Sequence, residues 1–184
     1  MSIPAPAKLS APHLSDIYSR TRLFTLLDKA RQSPAVWLSA PAGSGKTTLA
    51  ASYLHVRKVP YLWYRVDEGD TDIASFFYCL GLAARKRTPE SPTSLPLFTS
   101  EYLAGLPAFS RNFFREFYSP IKLPFVVAFD NYQDAGDETL LHQVVEYGLS
   151  EVPPGIMVMI ISRTQPPPFV QTEDVDIMLM RFRL

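Results

Sequence analysis

A chain of 184 residues with 47% hydrophobic side chains can bury a substantial core, and a single globular domain over 1–184 is the expectation. Eighteen Lys and Arg balance eighteen Asp and Glu, so no global field draws this segment to nucleic acid or an anionic membrane, and any DNA binding is expected to lie elsewhere. The opening MSIPAPAKLS lacks the apolar core of a secretory signal, and the longest apolar stretch, Ile156 to Ile161, is too short to span a bilayer; a cytoplasmic location without a membrane partner is expected.

In chain order, Leu23, Leu26, Leu27 and Ala30 form the apolar face of a first helix bounded by Pro34. A strand follows around Val36 to Ser39, and helix propensity resumes from Lys46 to Leu54. Tyr61 to Val66, after Pro60, reads as a second strand. Asp70, Thr71 and Asp72 offer capping oxygens to a helix carrying Ile73, Phe76, Phe77 and Leu80, with Arg85 to Arg87 suiting its negative C-terminal end. Thr88 to Pro107 is rich in proline, serine and threonine and loses periodicity, which predicts an exposed insertion with one short helix near Tyr102. Phe109, Phe113, Phe114, Phe117 and Tyr118 return to helical spacing; without a surrounding basic patch they read as core rather than as a base-stacking platform. Phe125 to Asp130 and Ile156 to Ile161 are apolar strands, and DVDIMLMRFRL supplies a last one. This alternation predicts an α/β domain with a mostly parallel central sheet.

The chemistry concentrates in AVWLSAPAGSGKTTLA, residues 35–50. Gly43 and Gly45 lack a Cβ, so the backbone around Pro41, Ala42 and Ser44 can turn several N–H groups toward an anion, in front of a helix N-terminus. Lys46 can reach β and γ oxygens of a nucleotide, the Thr47 hydroxyl suits a place around Mg²⁺, and Thr48 supports them. Against the pattern G-x-x-x-x-G-K-[ST] the first glycine is Ala40. The competing reading is a flexible turn between strand and helix; the strand, turn and helix context favours the phosphate cradle. Asp130 ends an apolar strand, where an acid is placed to hold Mg²⁺, and Arg163 follows another, where it can sense a γ-phosphate. The candidate catalytic set is therefore Lys46, Asp130 and Arg163, with Thr47 and Asp130 on the metal side. Cys79 lies among apolar neighbours and reads as a packing residue, and His13, His55 and His142 show no metal-ligand spacing.

LSAPAGSGKTTLAASYL, LWYRVDEGDTDIASFFYCL, VVAFDNYQDA and IISRTQPP, taken in order, resemble the N-terminal ATPase domain of the large ATP-binding LuxR-type transcription activators, which include the maltose-regulon activator and belong to the STAND class of signal-transduction ATPases. The resemblance runs from about Lys8 to about Arg183 and implies a P-loop NTPase three-layer sandwich of the ASCE/AAA-like type. It implies a switch in which ADP holds a resting form while ATP and an inducer favour a self-associating one. Ile17 and Tyr18 match the stretch lining adenine and ribose, with Arg20 beside them; 1–34 would be the adenine-side segment and helix. Asp67, Glu68 and Asp70 match the family's acidic turn, for which helix capping is an equal explanation. Where the family has a second aspartate after the third strand this chain has Asn131, which cannot accept a proton as a base, so slow or absent ATP hydrolysis is expected. Gln133 stands where a histidine is frequent. The winged-helix, sensor and helix-turn-helix domains of the family do not appear before Leu184. Two other classes remain open at this point: a small-molecule phosphotransferase, against which the proline-rich middle of Arg85 to Arg111 argues as a lid, and a non-hydrolysing nucleotide-binding scaffold.

Overall fold

The computed structural model describes residues 7–14, 20–87, 95–167 and 177–181; the expectations for Ile17, Tyr18 and residues 88–94 lie outside them. Among the described residues five strands form one sheet: β1 (Ala35–Ser39), β2 (Tyr61–Arg65), β3 (Phe125–Asp130), β4 (Ile156–Ser162) and β5 (Ile177–Arg181). They pair in parallel in the order β2-β3-β4-β1-β5. Strands β1, β3 and β4 are buried at every position, because helices cover both faces; they therefore read as unbroken apolar runs rather than alternating ones.

On one face lie α1 (Thr21–Ala30) and α2 (Lys46–Val56). Leu49, Ala50 and Tyr53 of α2 and Phe24 and Leu27 of α1 pack there against Val36, Leu38, Ala128 and Met159. The other face carries α3 (Ile73–Arg87), α4 (Leu106–Tyr118) and α5 (Leu140–Ser150), whose Phe76, Phe113 and Val144 join Trp37, Phe129 and Ile160. This is the expected α/β three-layer sandwich. The chain moves from β1 out to β2, returns through β3 and β4 on the opposite face, then crosses β1 to reach β5. The carboxyl ends of β1, β3 and β4 thus meet at the point where the winding direction reverses, which is where open α/β sheets leave a crevice.

Several local expectations need correction. In α1 the buried face is Phe24, Leu27 and Ala30, while Leu26 is 40% exposed; an i, i+3, i+6 stripe suffices because Phe24 meets Tyr53 edge-on at 5.6 Å. Asp70 does not cap α3. Asp72 does, accepting the Ala74 N–H at 3.2 Å and the Ser75 hydroxyl at 2.7 Å. The short helix near Tyr102 is a 3-10 turn over Ser100–Gly105, and Pro107 already belongs to the first turn of α4, where its fixed φ is an asset. Phe98, within the predicted excursion, stacks on Phe77 at 5.4 Å and meets Phe109 at 5.0 Å.

Helix α5 has no counterpart among the sequence expectations. Its N-terminus is capped by the Thr139 hydroxyl, which accepts the Leu141 N–H at 3.2 Å, and Leu141, Val144, Val145 and Leu149 are buried. Gly148 lies inside it because a Cβ there would stand 2.6 Å from the Phe114 ring, itself packed against Phe113, Phe117 and Tyr118. A crowded ring has no free rotamer to retreat into. Gly148→Ala is expected to cost about 2 kcal/mol of stability despite its better helix propensity, measurable by urea unfolding. No helix among the described residues is long and apolar enough to cross a membrane.

Candidate functional site

Strand β1 runs into a turn whose bends are Gly43 (φ 75°) and Gly45 (φ 78°). Gly45 is the left-handed N-terminal cap of α2, and its carbonyl accepts the Leu49 N–H at 2.8 Å. Lys46 opens the helix, and its side chain folds back over the turn. Its Nζ donates to the Ala40 carbonyl at 2.6 Å, the Pro41 carbonyl at 2.9 Å and Ser44 Oγ at 3.3 Å. This explains the departure at the first motif position. Ala40 lies outside the left-handed region and contributes a carbonyl, which any residue supplies. Ser44 and Lys46 are buried, Gly45 and Thr47 half-buried, and Pro41, Ala42, Gly43 and Thr48 exposed.

Helix α2 brings Thr47 to the end of β3: Thr47 Oγ1 donates to Asp130 Oδ1 at 2.8 Å, and the Asn131 N–H reaches the same oxygen at 3.0 Å. Burial holds the Asp130 carboxyl above the ordinary carboxylate value, outweighing those two hydrogen bonds and the fields of Arg65 and Lys46. Burial likewise lowers the Lys46 amine, and the positive field of Arg163 lowers it further against the opposing pull of Asp130. Asn131 adopts φ 58°, a left-handed turn that asparagine tolerates well, and starts a 3-10 turn over Tyr132–Ala135. Within that turn Gln133 reaches across to β4: its Oε1 accepts the Arg163 N–H at 3.0 Å, and its Nε2 donates to Asp134 at 2.9 Å. Gln133 thus ties the loop after Asp130 to the backbone of Arg163, a link that sequence reasoning missed.

Lys46, Thr47, Asp130 and Arg163 therefore gather on one edge of the sheet. Arg20, at the N-terminal cap of α1, joins them: its guanidinium stands 3.6 Å from where a Cβ on Gly45 would lie, on the side of the glycine turn. Asp70 of the acidic turn is engaged elsewhere. Asp70 is fully buried and accepts from Tyr64 Oη at 2.6 Å, Lys8 Nζ at 2.8 Å and the Asp67 N–H at 2.9 Å. Cys79 is half-buried with its thiol pKa raised, chiefly by burial. His142 is a core residue whose Nε2 meets the Gly136 carbonyl at 2.8 Å and whose Nδ1 meets the Tyr132 hydroxyl at 3.0 Å; burial lowers its pKa and favours the neutral ring.

Two hard oxygen donors, Thr47 Oγ1 and Asp130, lie together beside a lysine at a helix N-terminus. That donor set fits Mg²⁺, and the glycine turn with three flanking cations fits a polyphosphate.

No protein-family model matches the chain. Over 164 residues, 88% of this chain, it is 31% identical to the HTH-type transcriptional regulator MalT of Vibrio cholerae serotype O1, and 28% identical to MalT of Serratia proteamaculans over the same share. It spans 18% of the length of these relatives. Among solved structures it resembles a STAND protein with a tetratricopeptide repeat sensor from Pyrococcus horikoshii, with a TM-score of 0.58, 20% identity, and coverage of 95% of this chain and 25% of that one. A Walker-type ATPase of Pyrococcus abyssi gives a TM-score of 0.51 at 15% identity, covering 90% of this chain and 54% of the other. The fold is that of the P-loop NTPases.

Proposed function

We propose, for a chain related in sequence to the MalT-type regulators and in fold to the STAND ATPases, that this domain binds ATP and ADP with Mg²⁺ and acts as the nucleotide switch of a LuxR-type regulator, with slow or no hydrolysis. The observation that carries the reading is the convergence of Lys46 and Arg163 with the Thr47 and Asp130 pair around one glycine turn. A bound nucleotide would supply the polyphosphate whose γ group distinguishes ATP from ADP, and Mg²⁺ would supply the charge that neutralises it. The chain's residues do the rest. Backbone N–H groups around Gly43 and Gly45 and the N-terminus of α2 would hold the phosphates, and the Lys46 ammonium would exchange loop carbonyls for phosphate oxygens. Thr47 and Asp130 would hold the metal. Arg163, tethered through Gln133 to the loop after Asp130, gives the γ-phosphate a lever on two segments at once. Asn131, where an acid would be expected from the resemblance, cannot itself serve as a general base toward an attacking water.

A switch requires different nucleotide affinities in two states, and nothing in it requires fast turnover. Self-association in the complete regulator, a cytoplasmic location, and DNA recognition by other segments belong to the same proposal.

The test is a calorimetric titration with ADP and then ATP, with and without Mg²⁺, on the parent chain and on Asp130→Asn. The parent is expected to bind both nucleotides with unequal affinities and to gain affinity from Mg²⁺; Asp130→Asn should lose the Mg²⁺ gain. The folded chain holds the Asp130 proton more tightly than the unfolded chain does. Its ionised form therefore becomes a net cost as pH rises from the unfolded value through the raised folded one, and that cost is fully present at neutral pH. Asp130→Asn keeps an acceptor for Thr47 and removes the charge, so it should raise the melting temperature of the nucleotide-free chain at neutral pH, with a smaller gain in acid. Identical Mg²⁺ titrations for parent and variant, or ATP turnover at the rate of an efficient ATPase, would overturn the assignment.

A further inference from the structure

The segment that leaves β4 is tied to the ends of its neighbours. Ser162 Oγ, fully buried, accepts the Thr164 N–H at 3.1 Å and shares a hydrogen bond with Thr164 Oγ1 at 3.0 Å, which closes a tight turn around Arg163. The Thr164 carbonyl accepts the indole N–H of Trp37 in β1 at 3.0 Å, and the Arg163 N–H is held by Gln133 beyond β3. Residues 162–164 are therefore bound to one another and to two neighbouring segments.

Gln165 extends this arrangement to the edge of the sheet. Its Oε1 accepts the Arg181 Nε–H at 2.9 Å, and its Nε2 donates to Ser39 Oγ at 3.0 Å. Ser39, Ser162 and Arg181 stand in one row across β1, β4 and β5. A guanidinium only donates, so Arg181 fixes which end of the amide faces it and leaves the other end for Ser39. Ser39 is 4% exposed and immediately precedes Ala40, whose carbonyl holds the Lys46 ammonium. One amide spans the entry to the phosphate loop, the Arg163 segment and the end of β5. That strand has the least to hold it: it lies at the edge of the sheet and Met180 is its one buried residue, whereas β1, β3 and β4 are buried throughout.

We propose that Gln165 is a positioning residue through which the γ-phosphate of ATP clamps the end of β5. This rests on the nucleotide site proposed above, with Arg163 meeting the γ-phosphate. Held by that phosphate, Arg163 fixes residues 162–164, and Gln165 passes the restraint to Arg181; with ADP the segment lacks that anchor and the end of β5 opens more readily. The seating of an edge strand becomes the output of the nucleotide site. Because coupling is reciprocal, a seated β5 in turn favours ATP.

The test is hydrogen–deuterium exchange of the β5 amides, read by mass spectrometry on the whole chain with saturating ADP or ATP and Mg²⁺, together with calorimetry of both nucleotides. The parent's β5 is expected to exchange about threefold more slowly with ATP than with ADP, a modest factor suited to an exposed charge-assisted bond. Gln165→Ala should abolish that difference and weaken ATP relative to ADP by about the same threefold. Gln165→Glu should restore both, since its carboxylate accepts from Arg181 and from the Ser39 hydroxyl. Gln165 is exposed, so both variants should stay folded. A merely structural bond would speed β5 exchange equally with either nucleotide and leave the difference intact, which would overturn the proposal. Exchange with ATP that equals or exceeds that with ADP in the parent, or a glutamate variant that behaves like the alanine one, would do the same. A parent that binds neither nucleotide removes the nucleotide site and this coupling together; a parent that binds both unequally while β5 exchange ignores which is bound removes the coupling alone.

Discussion

Lys46→Ala is expected to weaken both ADP and ATP by at least about 30-fold, or about 2 kcal/mol, while leaving the fold and its unfolding transition nearly unchanged. The binding loss follows from removing a charge-assisted donor at the helix N-terminus where the phosphates are proposed to lie. The small effect on stability follows from two opposing terms. In the folded chain the ammonium holds the Ala40 and Pro41 carbonyls at 2.6 and 2.9 Å and Ser44 Oγ at 3.3 Å, so its loss leaves a buried carbonyl without that donor, at about 1 kcal/mol. Burial and the field of Arg163 lower the Lys46 pKa, so the folded chain binds this proton less tightly than the unfolded one. Its charged form is therefore a net cost at neutral pH, fading as pH rises toward the ordinary lysine value, and the alanine removes that cost. Calorimetry with urea unfolding of the same sample separates the effects. Unchanged affinities in a folded variant would remove the phosphate site from this loop.

The sheet and its loop were legible because their signals are local and doubly enforced. Strands β1, β3 and β4 are covered on both faces, so burial wrote an unbroken apolar run for each, and the glycine turn carries its chemistry within eight residues. The five aromatics of α4 were equally plain, since all are buried at helical spacing. Helix α5 was obscured by its own packing. Gly148 weakens the helix signal, and the adjacent Val144 and Val145 suit a strand as well as a buried helix; the reason for the glycine, the Phe114 ring, lies 34 residues away. Distance also hid the link from Gln133 to Arg163 and the reach of Arg20 to Gly45. Those contacts exist only after the sheet has brought the segments together.

The acidic turn shows how a family pattern and a physical role part company, and Asp70→Ala is the substitution that exposes it. Asp70 has no exposed surface, yet three donors converge on its carboxylate: the Tyr64 hydroxyl, the Lys8 ammonium and the Asp67 N–H. Burial first, then the bond to Asp70, hold the Tyr64 hydroxyl far above its ordinary pKa. Burial opposes the charge on Lys8, but the hydrogen bonds and fields of Asp70 and Asp67 outweigh it and raise that pKa; this pairing is thus present at neutral pH and lost only as alkali passes the raised value. Truncation strands a buried hydroxyl and a backbone N–H and leaves Lys8, 15% exposed, with the half-exposed Asp67 as its one ion-pair partner among the described residues. The expected loss is about 3 kcal/mol in urea unfolding. Asp70→Asn, which keeps one acceptor, should cost less, and Lys8→Met less again, because Asp70 then retains its two other donors. Affinity for ADP at low denaturant should change by less than about threefold, since none of these bonds touches Lys46, Thr47 or Asp130. A stability loss under about 1 kcal/mol would show that the cluster does not hold residues 7–9 to β2, and a large loss of ADP affinity in a stable variant would return the acidic turn to the nucleotide site.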